Sequence, residues 1–121
     1  MTMQSDFREG KIVAVIHSAF EDSPRTVAFV EVGDRPLEEA LEYAYHRTQN
    51  LAGSWSRPKK VEINGFFHEN PDCSEDVTVV ADLPVSKDGH VMGLRSTSMG
   101  DQMLYGNKKF KVAMIGFEEV A

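Results

Sequence analysis

The chain has 121 residues, 41% of them apolar and 26% charged, with a formal net charge of −6. That length suits one domain around one core. The longest apolar run, Ile12 to Ile16, is far too short to span a bilayer, and the negative balance argues against duplex nucleic acid, which is bound by cations that displace condensed counterions.

Met1 to Glu9 reads as a polar tail without a secretory or transit signal, so a cytoplasmic location is expected. Lys11 to His17 is rich in β-branched residues and short, the pattern of a strand covered on both faces. Glu21-Asp22-Ser23-Pro24 supplies turn chemistry, and Arg25 to Val32 completes a hairpin. Strict alternation there puts Val27, Phe29 and Glu31 on one face, and Thr26, Ala28, Val30 and Val32 on the other. Asp34 and Pro36 signal a helix start, with Asp34 as the capping acceptor. The helix is expected to run to about Asn50, with Leu37, Ala40, Leu41, Ala44, Thr48 and Leu51 as its buried stripe.

Beyond the helix the periodicity degrades, and 52–76 reads as a long irregular loop with room for a short strand at Lys60 to Ile63. Trp55, Phe66 and Phe67 are costly to leave in water, so they are expected to fold back onto the core or to meet a partner. Strands are expected at Asp76 to Ala81 and at His90 to Leu94, the latter after the Lys87-Asp88-Gly89 turn. Gly106-Asn107 is a hairpin signal between Gln102–Tyr105 and Lys108–Ile115. The expected fold is a single α+β domain over 1–121, one main helix packed on a curled, mostly antiparallel sheet.

Arg95-Ser96-Thr97-Ser98-Met99-Gly100-Asp101, the following hairpin and Gly116-Phe117-Glu118-Glu119-Val120 together resemble the C-terminal signature of the YodL-like domains of small phage and plasmid proteins. That signature joins a hydroxyl-rich S-x-S, an aspartate, a strand pair and a closing Gly-Phe-acidic motif. Ala40 to Tyr45, Thr48-Gln49-Asn50 and Trp55 resemble the helical segment that precedes it. The signature covers about the last quarter of the chain. The resemblance implies an accessory protein of a mobile element, acting by binding a host component, and brings no settled catalytic activity.

Arg95, Ser96, Thr97 and Ser98 form the best anion-site candidate, because a guanidinium fork, three hydroxyls and the amides near Gly100 could encircle a phosphate or carboxylate. On the competing reading Arg95 pairs with Asp101 or a nearby glutamate, and the hydroxyls shape a bend. Arg57-Pro58-Lys59-Lys60 is the one compact basic cluster, and Arg57 with Trp55 beside it could extend a site for a small phosphorylated ligand. His17, His46, His68 and His90 show no metal-ligand spacing, and the single cysteine, Cys73, excludes an intramolecular disulfide and a thiolate zinc site. No catalytic motif, cofactor fingerprint or phosphate loop is present. The expected function is therefore non-enzymatic: occupation of a host protein, such as a defence factor, with sequestration of a nucleotide as the alternative. Exposed strand edges and the methionine-rich C-terminal region add self-association as a further expectation.

Overall fold

In a computed structural model, which describes residues 11–120, those residues form one helix, an open six-stranded sheet and a separate two-stranded ribbon. The sheet contains β1 (Ile12–His17), β2 (Arg25–Glu31), β5 (Val77–Val79), β6 (Gln102–Tyr105), β7 (Lys108–Val112) and β8 (Phe117–Val120), in the order β5-β2-β1-β6-β7-β8. Every neighbouring pair is antiparallel. The ribbon is β3 (Lys60–Ile63) with β4 (Phe66–Glu69). Helix α1 (Leu37–Arg47) lies against β1, β2 and β6, giving the α+β arrangement that the pattern predicts. The polar tail of 1–9 falls outside the described residues.

Strand β1 is central, with Ile12, Val13, Ala14 and Val15 all buried, as its unbroken apolar run requires. Val13 and Val15 share the helix side of the sheet with their cross-strand partners Val30, Ala28 and Met103. Ala40, Leu41 and Ala44 supply the buried face of α1.

Strict alternation in β2 fails at Val27. The register slips between Val15 and Ile16, leaving Val27 as an extra residue, so Val27 and Ala28 are both in the core while Thr26 pairs with Ile16 and is exposed. The Val27 carbonyl then accepts from Val80 N–H at 2.9 Å, which turns the chain leaving β5 back onto β2.

The helix is shorter than its stripe suggests. It starts at Leu37 with Pro36 at the cap and no side-chain cap hydrogen bond, so Asp34 does not perform the expected capping. It stops at Thr48, whose hydroxyl donates back to the Ala44 carbonyl at 2.9 Å. Thr48 is fully buried, whereas Leu51 is 80% exposed and lies outside the stripe.

The segment expected to be irregular holds a regular hairpin. Asn64 and Gly65 both take positive φ, 52° and 84°, the two-residue turn that matches the twist of a β-ribbon. Conversely, residues 90–94 form no strand. Val91 makes only an isolated bridge to Val85, which closes a strap over 83–93. At the sheet edge, β8 carries Glu118 and Glu119, charges that discourage further strand addition there. Among the described residues no helix is long and apolar enough to cross a membrane.

Candidate functional site

The Arg95–Asp101 segment is built around an anion, and that anion belongs to the chain itself. Asp101 is fully buried, and its carboxylate accepts from the backbone N–H groups of Ser18 at 2.8 Å, Ala19 at 2.9 Å and Ser98 at 2.8 Å. Arg95 completes the shell with a bidentate pair, Nη1 to Oδ2 at 2.7 Å and Nη2 to Oδ1 at 2.8 Å. The outer edge of the guanidinium goes to Glu21, with Nε to Oε1 at 3.2 Å and Nη2 to Oε2 at 2.8 Å, while Nη1 also donates to the Ser96 carbonyl at 2.9 Å. Every nitrogen of the fork is thus engaged, and no donor is left for an external phosphate.

The hydroxyls are committed in the same way. Ser96 Oγ accepts from Asn50 N–H at 2.8 Å, and Ser98 Oγ donates to the Ser96 carbonyl at 3.3 Å. Thr97 Oγ1 donates to Thr48 Oγ1 at 2.7 Å, which leaves it to accept from His17 Nε2 at 3.1 Å, a pattern that requires a proton on Nε2. Burial pushes the His17 pKa below 6.5 against the opposing pull of Asp101. Burial raises the Asp101 carboxyl, but the Arg95 bonds and the amides of Ala19, Ser98 and Ser18 outweigh it and hold the pKa at about 2.

His17, Thr97 and Asp101 therefore meet, with His17 Nε2 lying 4.0 Å from Asp101 Oδ2. This is not the geometry of nucleophile activation. The same ring nitrogen faces both partners, the histidine donates to the hydroxyl instead of accepting from it, and all three residues are no more than 1% exposed.

Trp55 is 1% exposed, with its indole N–H donating to the Arg95 carbonyl at 2.8 Å, so it faces inward and cannot stack on a ligand. It anchors 53–58, a short hub that fixes two outlying elements. The ribbon is tied to the hub by Asn70, which is 5% exposed. The Asn70 amide donates to the Ser54 carbonyl at 2.6 Å and the Arg57 carbonyl at 3.0 Å, and its oxygen accepts from Ser54 N–H at 2.8 Å. The strap is tied by Leu94 N–H to Ser56 Oγ at 2.6 Å and by Gly93, where a Cβ would stand 1.9 Å from Ser54 Oγ. Asn70→Ala is expected to destabilise the protein by about 2–4 kcal/mol, because it leaves Ser54 N–H and neighbouring carbonyls unpaired. Urea denaturation checks this.

Between the two tethered elements lies an open groove of about 560 Å³, whose lining includes Arg57, Lys60, Val61, Leu83, His90 and Val91. Of the six residues singled out in the sequence, Arg57 alone faces this groove. Arg95, Ser96, Thr97 and Ser98 form the internal bracket with Asp101, and Trp55 packs between bracket and hub. Asn70 and Gly93 escaped sequence reasoning, since an Asn-Pro step and a lone glycine signal only a turn. Among the described residues, no His, Cys, Asp or Glu side chains cluster in a way that could hold a metal ion.

No known protein family, curated protein or solved structure matches the chain.

Proposed function

We propose that the chain is a non-enzymatic binding protein that occupies another protein through its ribbon and the adjoining strap. The observation that carries this reading is the exposure of Phe66 and Phe67, each 73% accessible on a hairpin outside the main sheet. Two adjacent phenylalanines project to opposite faces of a strand, so neither face of the ribbon end is closed by the domain. The strap adds Val85, Val91 and Met92, which are 62%, 47% and 51% exposed. Apolar surface gathered in this way favours a protein partner.

The resemblance of 95–101 and 116–120 to YodL-like proteins of mobile elements makes a host protein, such as a defence factor, the partner class. That segment contributes folding: its arginine and the Ser98 amide hold Asp101, its hydroxyls bond to Asn50, Thr48 and the Ser96 carbonyl, and its glycine at 116 has φ 70° in the turn before β8. A likeness resting on those residues speaks for a shared scaffold more than for a shared ligand. Nucleotide sequestration retains only Arg57 of the residues first suggested for it.

The test is capture from host lysate by the immobilised chain and by a Phe66→Ser, Phe67→Ser double variant with unchanged circular dichroism. The expected result is one saturable partner for the wild type and a loss of affinity of about tenfold or more for the variant, as for removal of a buried aromatic anchor. No saturable partner, or equal capture by both proteins, would contradict the proposal.

A further inference from the structure

Among the described residues, strand β3 is paired along one edge only, and its other edge lies along the groove. We infer that this groove takes an extended, acidic segment of the protein partner, which adds to β3 as a third strand of the ribbon. The inference rests on the binding-protein reading and specifies its contact.

The edge is defined by the turn. In a two-residue hairpin the residues flanking the loop exchange backbone hydrogen bonds, and bonded residues then alternate along the strand. Here the flanking pair is Ile63 with Phe66, so Ile63 and Val61 point their backbone groups toward β4. The next bond in this alternation is observed, Asn70 N–H to the Lys59 carbonyl at 2.6 Å. Lys60 and Glu62 therefore direct their N–H and C=O groups away from β4, where no strand among the described residues meets them.

The hollow on that side is lined by β3 and its turn on one wall and by Leu83 and Gly89 to Val91 of the strap on the other. Glu62, Met92 and Gly93 share an adjoining hollow, so the trough continues along the strand. Four residues of β3 give an edge of roughly 13 Å, the length of a four-residue partner segment. Both walls are held before any partner arrives, one by Asn70 and the other by Gly93 with Ser56, which limits the ordering cost of binding.

The lining selects the occupant. Val61 is buried and Leu83 half-buried, which offers an apolar floor to alternate side chains of an added strand. Arg57 and Lys60 bring positive charge to the end where β3 begins, and Glu62 stands toward the turn. In a chain of net charge −6, a cationic trough end is complementary to a carboxylate. The fitting segment is extended, with an apolar residue facing the floor and an acidic residue at the Arg57 end.

The test uses the isotope-labelled full chain titrated with a capped hexapeptide that alternates valine and glutamate, alongside the same peptide with lysine in place of glutamate. The expected result is saturable amide shifts confined to residues 57–62 and 89–93, with the lysine peptide weaker by about tenfold or more, as expected for reversed charge. Glu62→Pro deletes an outward N–H without removing a β3–β4 bond, and Lys60→Glu reverses an exposed charge. Each is expected to weaken the glutamate peptide by about tenfold or more, and the second variant serves if the first misfolds.

Absent shifts, equal binding of both peptides, or unchanged binding by the folded variants would overturn the inference. Applied to lysate capture, the same variants separate the two levels. Capture that depends on Phe66 and Phe67 but ignores Lys60→Glu sinks the groove contact alone, whereas no saturable capture by the wild type sinks the binding reading itself.

Discussion

Asp101→Ala is expected to destabilise the fold by roughly 3–5 kcal/mol, the range for removing one partner of a buried ion pair. The substitution strands the amides of Ser18, Ala19 and Ser98 together with the inner edge of Arg95, all in a region where Asp101 is 0% exposed. Total stability for a domain of this kind is about 5–15 kcal/mol, so the variant sits near the limit of folding. Glu21→Gln provides the contrast. Its pair with Arg95 is at the surface, with the two side chains 27% and 28% exposed, and its loss is expected to cost no more than about 1 kcal/mol. Chemical denaturation of the three proteins separates these effects.

The same carboxylate sets the acid limb of stability. Its pKa is depressed from 3.8 to about 2 in the fold, so its contribution is present above 3.8 and is lost as pH falls toward 2. That contribution amounts to roughly 2 kcal/mol at neutral pH. His17 acts earlier, because burial keeps it neutral while the unfolded chain takes up a proton below its ordinary 6.5. The wild type is expected to lose stability in two stages on acidification, and Asp101→Ala to shrink the lower stage, to which the Glu21–Arg95 pair also contributes, while retaining the upper. An unchanged lower stage in the variant would remove Asp101 from the account.

Trp55→Ala is expected to be comparably damaging, at about 3–5 kcal/mol, because it empties a large core site. The side chain lies edge-on to His17 with centroids 6.2 Å apart, and its backbone N–H donates to Asn50 Oδ1 at 2.9 Å. It joins the Asp101 bracket to the hub that carries the ribbon and the strap. Trp55→Phe keeps most of the volume and orphans the Arg95 carbonyl, with an expected loss of about 1–2 kcal/mol. As the chain has one tryptophan, its fluorescence reports this site directly, and emission of the native protein is expected at the blue, buried end. Ready quenching by iodide would contradict the inward orientation.

These residues show where the sequence was legible. The unbroken Ile12–Ile16 run indicated a covered central strand, and Gly106-Asn107 marked the β6–β7 hairpin, because both signals are local. Asn64-Gly65 carries the same kind of signal, yet Phe66-Phe67-His68-Glu69 does not alternate, since all four residues are exposed. The Val27 bulge is invisible for the opposite reason: Val27 fits a regular strand as well as an irregular one.

At the candidate site the hydroxyls do not encircle an anion: Ser96 and Thr97 meet Asn50 and Thr48, and the donors around Asp101 are Arg95 and the backbone amides of Ser18, Ala19 and Ser98. That the anion is Asp101 was one of two readings left open by residues 95–101. Pairing with Glu21, 74 positions away, and amides from Ser18 and Ala19 could not be read from one segment. The tethering by Asn70 and Gly93 depends likewise on contacts between distant parts of the chain.

The central claim is that the Arg95–Asp101 cluster is an internal bracket whose donors are engaged within the chain. Titration of the labelled protein with inorganic phosphate and with adenosine monophosphate, following Arg95 Nε–H and the amides of Ser18, Ala19 and Ser98, tests it most directly. The account predicts that these four resonances stay in place at millimolar ligand; saturable movement of Arg95 Nε–H together with the Ser98 amide would contradict it.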